Sequence, residues 1–206
     1  MSGTSGVERV VRGFFAPLVA ALDALGVSPN ALTVFGVLLN FAAASVVGLG
    51  YHVAGAFAFL FASGFDMLDG SLARRRGVDG KLGAFLDSTF DRLSETALFL
   101  ALLVDHAARP YGPEWMPAAI LVALGGSLTT SYARARSESL GQECKVGWVE
   151  RPERVVLLVI GLLAGPTALG YVIFALAGLT WFTVIQRIVH VWKNIDAPHD
   201  ADRVDG

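Results

Sequence analysis

Between residues 31 and 192, apolar stretches long enough to cross a bilayer recur six times, and that recurrence sharply limits what the chain can fold into. In hydrocarbon the backbone polar groups have no water to bond, so a crossing segment must satisfy them internally, and a helix of about 20 mostly apolar residues does this. The stretches run from near Ala31 to Leu49, Val53 to Asp69, Gly83 to Val104, Met116 to Tyr132, Val155 to Leu169 and Tyr171 to Val191. Composition agrees: 54% of the 206 residues are hydrophobic and 17% charged, and the mean hydropathy of +0.57 is too high for an ordinary soluble domain. The expectation is an all-α integral membrane protein with six transmembrane helices in a single domain, residues 1–195. Short glycine-containing links near Gly50 and Gly165-Pro166 join neighbouring spans as helical hairpins.

The segment before the first span differs. Val10, Val11, Phe14, Phe15, Leu18, Val19 and Leu22 form one stripe, with Glu8, Arg9, Arg12 and Asp23 elsewhere. This predicts an amphipathic helix over about residues 7–25 lying in the membrane interface. Residues 196–206 are polar and read as a disordered tail. The single cysteine, Cys144, rules out an intrachain disulfide framework. No basic tract points to nucleic acid. Lys and Arg set the orientation. Arg74, Arg75, Arg76 and Lys81 follow the second span, and Arg134, Arg136, Lys145, Arg151 and Arg154 follow the fourth. The opposite loops hold only Arg109. Both termini then face the cytoplasm, and the expected location is the cell membrane.

Four carboxylates, Asp66, Asp69, Asp87 and Asp91, sit at the cytoplasmic ends of the second and third spans. A charge at membrane depth costs at least a few kcal/mol, and acids of one sign cannot neutralise each other. Asp66 and Asp69 are i, i+3, and Asp87 and Asp91 are i, i+4, so each pair projects from one helix face. Two such faces make an oxygen-rich pocket for a hard divalent cation. Gly70 lets another group approach the backbone beside the first pair, Ala73 keeps that face low, and Gly83 clears the facing helix. Arg74 places a permanent cation one turn past Asp69, suited to a phosphate. Alone, a pair of acids usually marks a solvated face and a glycine a helix-packing position; the joint spacing across two helices argues for a metal-diphosphate slot.

Written out, the segment is Asp66-Met-Leu-Asp69-Gly70-Ser-Leu-Ala73-Arg74, eight residues, then Gly83-Ala-Phe-Leu-Asp87-Ser-Thr-Phe-Asp91. It resembles the signature of the CDP-alcohol phosphotransferase family at every fixed position. The resemblance implies a two-metal site of magnesium or manganese held by Asp66, Asp69, Asp87 and Asp91, with Asp91 also the base. It implies CDP-lipid contacts from Pro29, Asn30, Ala31 and Leu32, from Gly70 and Arg74, and from Gly80; Ala73 and Gly83 complete that slot. A homodimer is implied by the resemblance alone.

A second cluster bears on the acceptor. Arg134 ends the fourth span, Arg154 opens the fifth within Glu150-Arg151-Pro152-Glu153-Arg154, and Arg187 lies inside the sixth. An arginine within a span needs an anion or a polar cavity. Convergence of the three beside the acids predicts an anionic acceptor, a phosphate monoester. The segments Ser131–Arg136 and Glu150–Arg154 resemble the branch of the family that makes phosphatidylinositol phosphate from CDP-diacylglycerol and inositol phosphate, and the archaeal branch that uses a CDP-archaeol donor. Glycerol 3-phosphate is the alternative acceptor. A divalent-cation transporter is the distant alternative, which leaves the arginines without a purpose and predicts polar residues across the bilayer where Ala43–Leu49 and Ala97–Leu103 are apolar.

Overall fold

The computed structural model describes residues 16–77 and 80–194, with only the backbone of residues 66 and 67. The start of the expected interfacial helix, before residue 16, and the tail 196–206 lie outside the described residues. Every regular element among the described residues is a helix, and the chain divides into two compact units, Met1–Asp105 and His106–Gly206.

In the first unit, α1 covers residues 16–24 and turns at Gly26 into α2, Pro29–Gly48. Ser28 caps α2, its Oγ accepting from the Ala31 amide at 3.2 Å, and Pro29 follows where a missing N–H costs nothing. Gly50, at φ 89°, reverses the chain into α3, His52–Arg76. The α2–α3 hairpin closes tightly because Gly55 has no side chain where a Cβ would overlap Val47. Gly77, at φ 63°, ends α3 in a left-handed cap. The fourth helix, α4, is Lys81–Ala108. His52 Nε2 lies 2.6 Å from Asp105 Oδ2 and ties the start of α3 to the end of α4. Val19, Leu32, Leu68 and Leu72, with Leu22 and Phe65 against them, bind α1 to the adjoining ends of α2 and α3.

In the second unit, α5 (Met116–Ser139) leads through a loop to α6 (Arg151–Ala164) and, after Gly165, to α7 (Pro166–Asn194). The α5–α7 seam is small and polar: Thr130 Oγ1 donates to the Thr180 carbonyl at 3.2 Å, Trp181 Nε1 to the Val122 carbonyl at 3.0 Å, and Gly126 leaves room for Thr180. Small residues and side-chain hydrogen bonds are how helices associate where lipid removes the hydrophobic drive.

Among the described residues four helices, α2, α3, α5 and α7, are long and apolar enough to cross a membrane, where the sequence led us to expect six. The α4 helix has the length, 28 residues, but carries Asp87, Asp91, Arg92 and Glu95 between residues 87 and 95. The α6 helix has 14 residues, about 21 Å at 1.5 Å per residue, short of a hydrocarbon core of about 30 Å. Hydropathy carries the fifth stretch through to Leu169, but Pro166 starts a new helix and Gly165 breaks the old one. Apolar side chains face outward along the long helices, including Phe35 and Leu38 on α2, Phe57 and Phe61 on α3, and Phe182 and Ile185 on α7. Such surface suits lipid and not water: the chain is a multi-pass membrane protein.

Candidate active site

A cavity of about 460 Å³ opens in the first unit where three helix ends meet. Its walls are Ser28, Pro29, Asn30 and Thr33 from the start of α2, Asp69, Gly70, Ala73 and Arg74 from α3, and Gly80, Gly83, Ala84 and Asp87 at the start of α4. The sequence explains the meeting. A proline start, an arginine-rich end and a glycine break place backbone ends and charges together at one level of the hairpin.

Of the expected slot residues, Pro29, Asn30, Asp69, Gly70, Ala73, Arg74, Gly80, Gly83 and Asp87 line the cavity. Leu32 instead packs in the α1–α2–α3 core and Ala31 is exposed outside the lining; on a helix beginning at Pro29 these positions point away from the face that carries Asn30 and Thr33. Asp91 lies one turn beyond Asp87 on α4, half-buried. The Asp66 side chain lies outside the described residues. No group of three or more His, Cys, Asp or Glu side chains suited to a metal forms among the described residues.

Asp69 is 5% exposed. Its Oδ2 accepts from Thr33 Oγ1 at 2.6 Å and its Oδ1 from the Gly70 amide at 2.5 Å. Thr33 Oγ1 also lies 3.1 Å from the Pro29 carbonyl, but a hydroxyl has one proton and the shorter, charge-assisted bond takes it. Thr33 is one residue that reading the sequence missed. Its signal was its place one turn after Pro29, on the face of Asn30. Each carboxylate oxygen keeps acceptor capacity beyond one bond, so Asp69 is held in place and still able to ligate. Asp87 is exposed to the cavity. An all-oxygen set of this kind suits magnesium, manganese or calcium. The group that approaches Gly70 is the Arg74 guanidinium: a Cβ at Gly70 would stand 3.4 Å from Arg74 Nη1. Gly83 has nothing within 4 Å of a Cβ, so it keeps the facing wall open.

Arg75 and Arg76 were expected only as membrane anchors. They bind α1: Arg76 Nε donates to Asp23 Oδ1 at 2.7 Å, Arg75 Nε to Oδ2 at 3.0 Å, and Arg76 Nη2 to the Asp23 carbonyl at 3.1 Å. The bond from Arg76, aided by Arg75, holds the Asp23 carboxyl below its usual range. Asp23 precedes the loop that carries Ser28, and Arg76 precedes the loop that carries Gly80, so this clasp joins the lead-ins to two walls of the cavity.

The second unit gathers the other arginines around the loop before α6. Arg187 is 2% exposed. Its Nη1 donates to the Thr130 carbonyl at 2.7 Å, its Nε to the Val146 carbonyl at 2.8 Å and its Nη2 to Glu150 Oε1 at 3.2 Å. Arg134, half-exposed, bonds Glu138 Oε1 through Nε at 2.9 Å and stands 3.6 Å from Glu150 Oε1 through Nη1. Arg154 is buried, with Nη1 3.5 Å from the Val149 carbonyl. Gly147, at φ 138°, lets the loop lie against Thr183 and Arg187, where a Cβ would meet Thr183 Cγ2 at 2.6 Å. Glu150 and Glu153 form a capping box at the start of α6. The structure thus brings Arg134 and Arg187 to one carboxylate, which the sequence reading did not foresee.

Comparison with known proteins agrees with this architecture. The family model of CDP-alcohol phosphatidyltransferases matches residues 26–192. The archaetidylinositol phosphate synthase of Methanothermobacter thermautotrophicus is 39% identical over 90% of this chain and 92% of its own. The phosphatidylinositol phosphate synthase of Corynebacterium glutamicum is 38% identical over 86% of this chain and 84% of its own. The crystal structure of Mycobacterium tuberculosis phosphatidylinositol phosphate synthase with CDP-DAG bound superposes with a TM-score of 0.82 at 33% identity, over 89% of this chain and 96% of that one. The same enzyme in complex with manganese and citrate gives the same score, over 89% and 92%. The chain belongs to the CDP-alcohol phosphatidyltransferase family and is an enzyme of phospholipid synthesis.

Proposed function

From that membership we propose that the chain transfers a phosphatidyl group from CDP-diacylglycerol to inositol phosphate, giving phosphatidylinositol phosphate and CMP. One observation carries the reading: a single cavity lined by Asp69, Asp87 and Arg74, with Gly70, Gly80 and Gly83 leaving room for a diphosphate. The likeness to a relative with bound CDP-DAG supports the donor. The same chemistry with glycerol 3-phosphate as acceptor or CDP-archaeol as donor is the alternative; the archaetidylinositol phosphate synthase likeness favours keeping the second. A cation transporter has no use for the arginines and releases no CMP.

The donor's cytidine diphosphate is read as lying between the α2 start and the Gly70 face, its phosphate on Arg74. Asp66, Asp69, Asp87 and Asp91 would hold two divalent ions, magnesium or manganese, and these would supply charge neutralisation for the diphosphate and the departing CMP. Thr33 holds the Asp69 carboxylate in one orientation. Asp91 accepts the proton of the acceptor hydroxyl as its oxygen bonds to the lipid-bearing phosphorus and the bond to CMP breaks. Arg134, Arg154 and Arg187 bind the acceptor's phosphate.

We read α4 and α6 as two further spans, for six in all, and α1 as the end of an interfacial helix from about residue 7. The asymmetry of Lys and Arg supports a cytoplasm-facing site in the cell membrane. Residues 1–195 act as one catalytic domain, assembled as a homodimer. The test is CMP release by purified protein with CDP-diacylglycerol and magnesium, offering inositol 1-phosphate, glycerol 3-phosphate, free inositol and serine in turn. Release with inositol phosphate alone supports the reading. Release with glycerol phosphate moves the product to another lipid, and no release calls for CDP-archaeol as donor.

A further inference from the structure

Arg187 has two donor edges committed to backbone, Nε to Val146 and Nη1 to Thr130. The remaining edge, Nη2, meets a side chain, Glu150 Oε1, at 3.2 Å. The same oxygen stands 3.6 Å from Arg134 Nη1. One carboxylate oxygen is therefore shared by a guanidinium whose side chain is 3% exposed and another at 39%. Glu150 is itself 39% exposed at the side chain and fixed by the first turn of α6 through the capping box.

A phosphate monoester offers these guanidinium groups the same kind of oxygens with roughly twice the charge at neutral pH. It cannot pair with both Arg134 and Arg187 while Glu150 holds the oxygen position they share. We propose that Glu150 is a specificity-determining residue, an internal anion that an acceptor must displace to reach Arg187. A dianionic phosphate gains more from two guanidinium groups than a monoanionic carboxylate does, so it displaces Glu150. An uncharged or zwitterionic alcohol gains nothing and leaves the pair closed. This rests on the reading of the arginine cluster as the acceptor-phosphate site. It adds that the cluster is kept shut by a built-in competitor.

The test uses the full chain in detergent and the Glu150→Gln variant, whose amide oxygen still accepts at the α6 cap. KM for inositol 1-phosphate should fall by roughly fivefold, in line with removal of a close competing charge, while KM for CDP-diacylglycerol stays put. Inorganic phosphate should raise the melting temperature of Glu150→Gln more steeply than that of the wild type, since it supplies the anion that was removed. Glu138→Gln, which touches Arg134 only, should lower KM less. If Glu150→Gln does not fold, Glu150→Asp keeps charge and cap but withdraws the carboxylate by about 1.5 Å, the length of one methylene, and should shift KM in the same direction. An unchanged or raised KM, with no extra stabilisation by phosphate, overturns the proposal and leaves Glu150 as a brace for Arg187. Wild-type protein that neither turns over inositol phosphate nor responds to phosphate would instead overturn the acceptor reading itself.

Discussion

The acidic slot of the first unit and the arginine cluster of the second treat charge in opposite ways. Around the slot, glycine and alanine at positions 70, 73, 80, 83 and 84 share the cavity wall with Asp87 and Arg74, Arg74 Nη2 donates to Ser71 Oγ at 3.3 Å, and Asp69 is steadied by Thr33 and a backbone amide. In the cluster, Arg187 is buried among two carbonyls and a carboxylate, and Arg134 divides its guanidinium between Glu138 and Glu150. The slot sets its charges along the wall of a cavity. The cluster answers charge with protein partners, so a ligand there must compete. The lesson is that a residue type in a motif does not reveal whether its charge is already satisfied; the partners decide.

Substitutions test this contrast. The largest effect should come from the slot: Asp91→Asn removes a group assigned to proton transfer, worth about 10²–10⁴-fold, and CMP release should fall by that order with the melting temperature little changed. Retained turnover would remove Asp91 from the chemistry. In the cluster, Arg187→Ala should act through stability, since it takes the guanidinium donor from the Thr130 and Val146 carbonyls and a buried polar group left unsatisfied costs about 1–3 kcal/mol, and it should lower the melting temperature as well as weaken the phosphorylated acceptor. Arg134→Ala, half-exposed, should raise KM for that acceptor with little loss of melting temperature; equal stability loss in both would erase the distinction between them. Thr33→Val should cost about 1.5–3 kcal/mol, the value of a hydrogen bond to a charged group, seen as weaker magnesium or manganese activation, with Thr33→Ser restoring most of it.

The smallest effect concerns the α1 clasp. The Asp23 carboxyl lies below its ordinary value of 3.8 because of Arg76 and Arg75. A depressed carboxyl contributes to docking fully above its unfolded pKa and loses that contribution as pH falls through the folded one. Amide exchange at residues 16–24 should therefore be constant from pH 7 down to about pH 4, after allowance for intrinsic rates, and rise only below that. Asp23→Asn should show the acid-side exchange already at neutral pH.

The slot was legible because its chemistry is local. Asp66, Asp69, Gly70 and Arg74 sit within about two turns of one helix, and Gly83, Asp87 and Asp91 within another, so spacing alone places each set on a face. Leu32 packs in the core beside Thr33 on the cavity wall because a one-residue step on a helix turns the side chain by about 100°, which spacing to the motif does not reveal. The helix break at Gly165 was harder to place, since apolar residues continue on both sides of it. Thr33 and Glu150 were missed because their partners lie 36 and 37 residues away in the chain, Asp69 and Arg187 respectively. Nothing in local spacing marks such pairs.

By itself the sequence determined that this chain is helical, membrane-embedded and armed with paired carboxylates beside an arginine, because hydropathy and helical period act over neighbouring residues. Only the tertiary structure decided which of its charges line a cavity and which are packed among protein groups. Whether Asp87 faces a cavity, Arg187 is spent on carbonyls or Asp23 clasps Arg75 and Arg76 depends on which helix ends pack together, and packing joins residues that the sequence keeps apart.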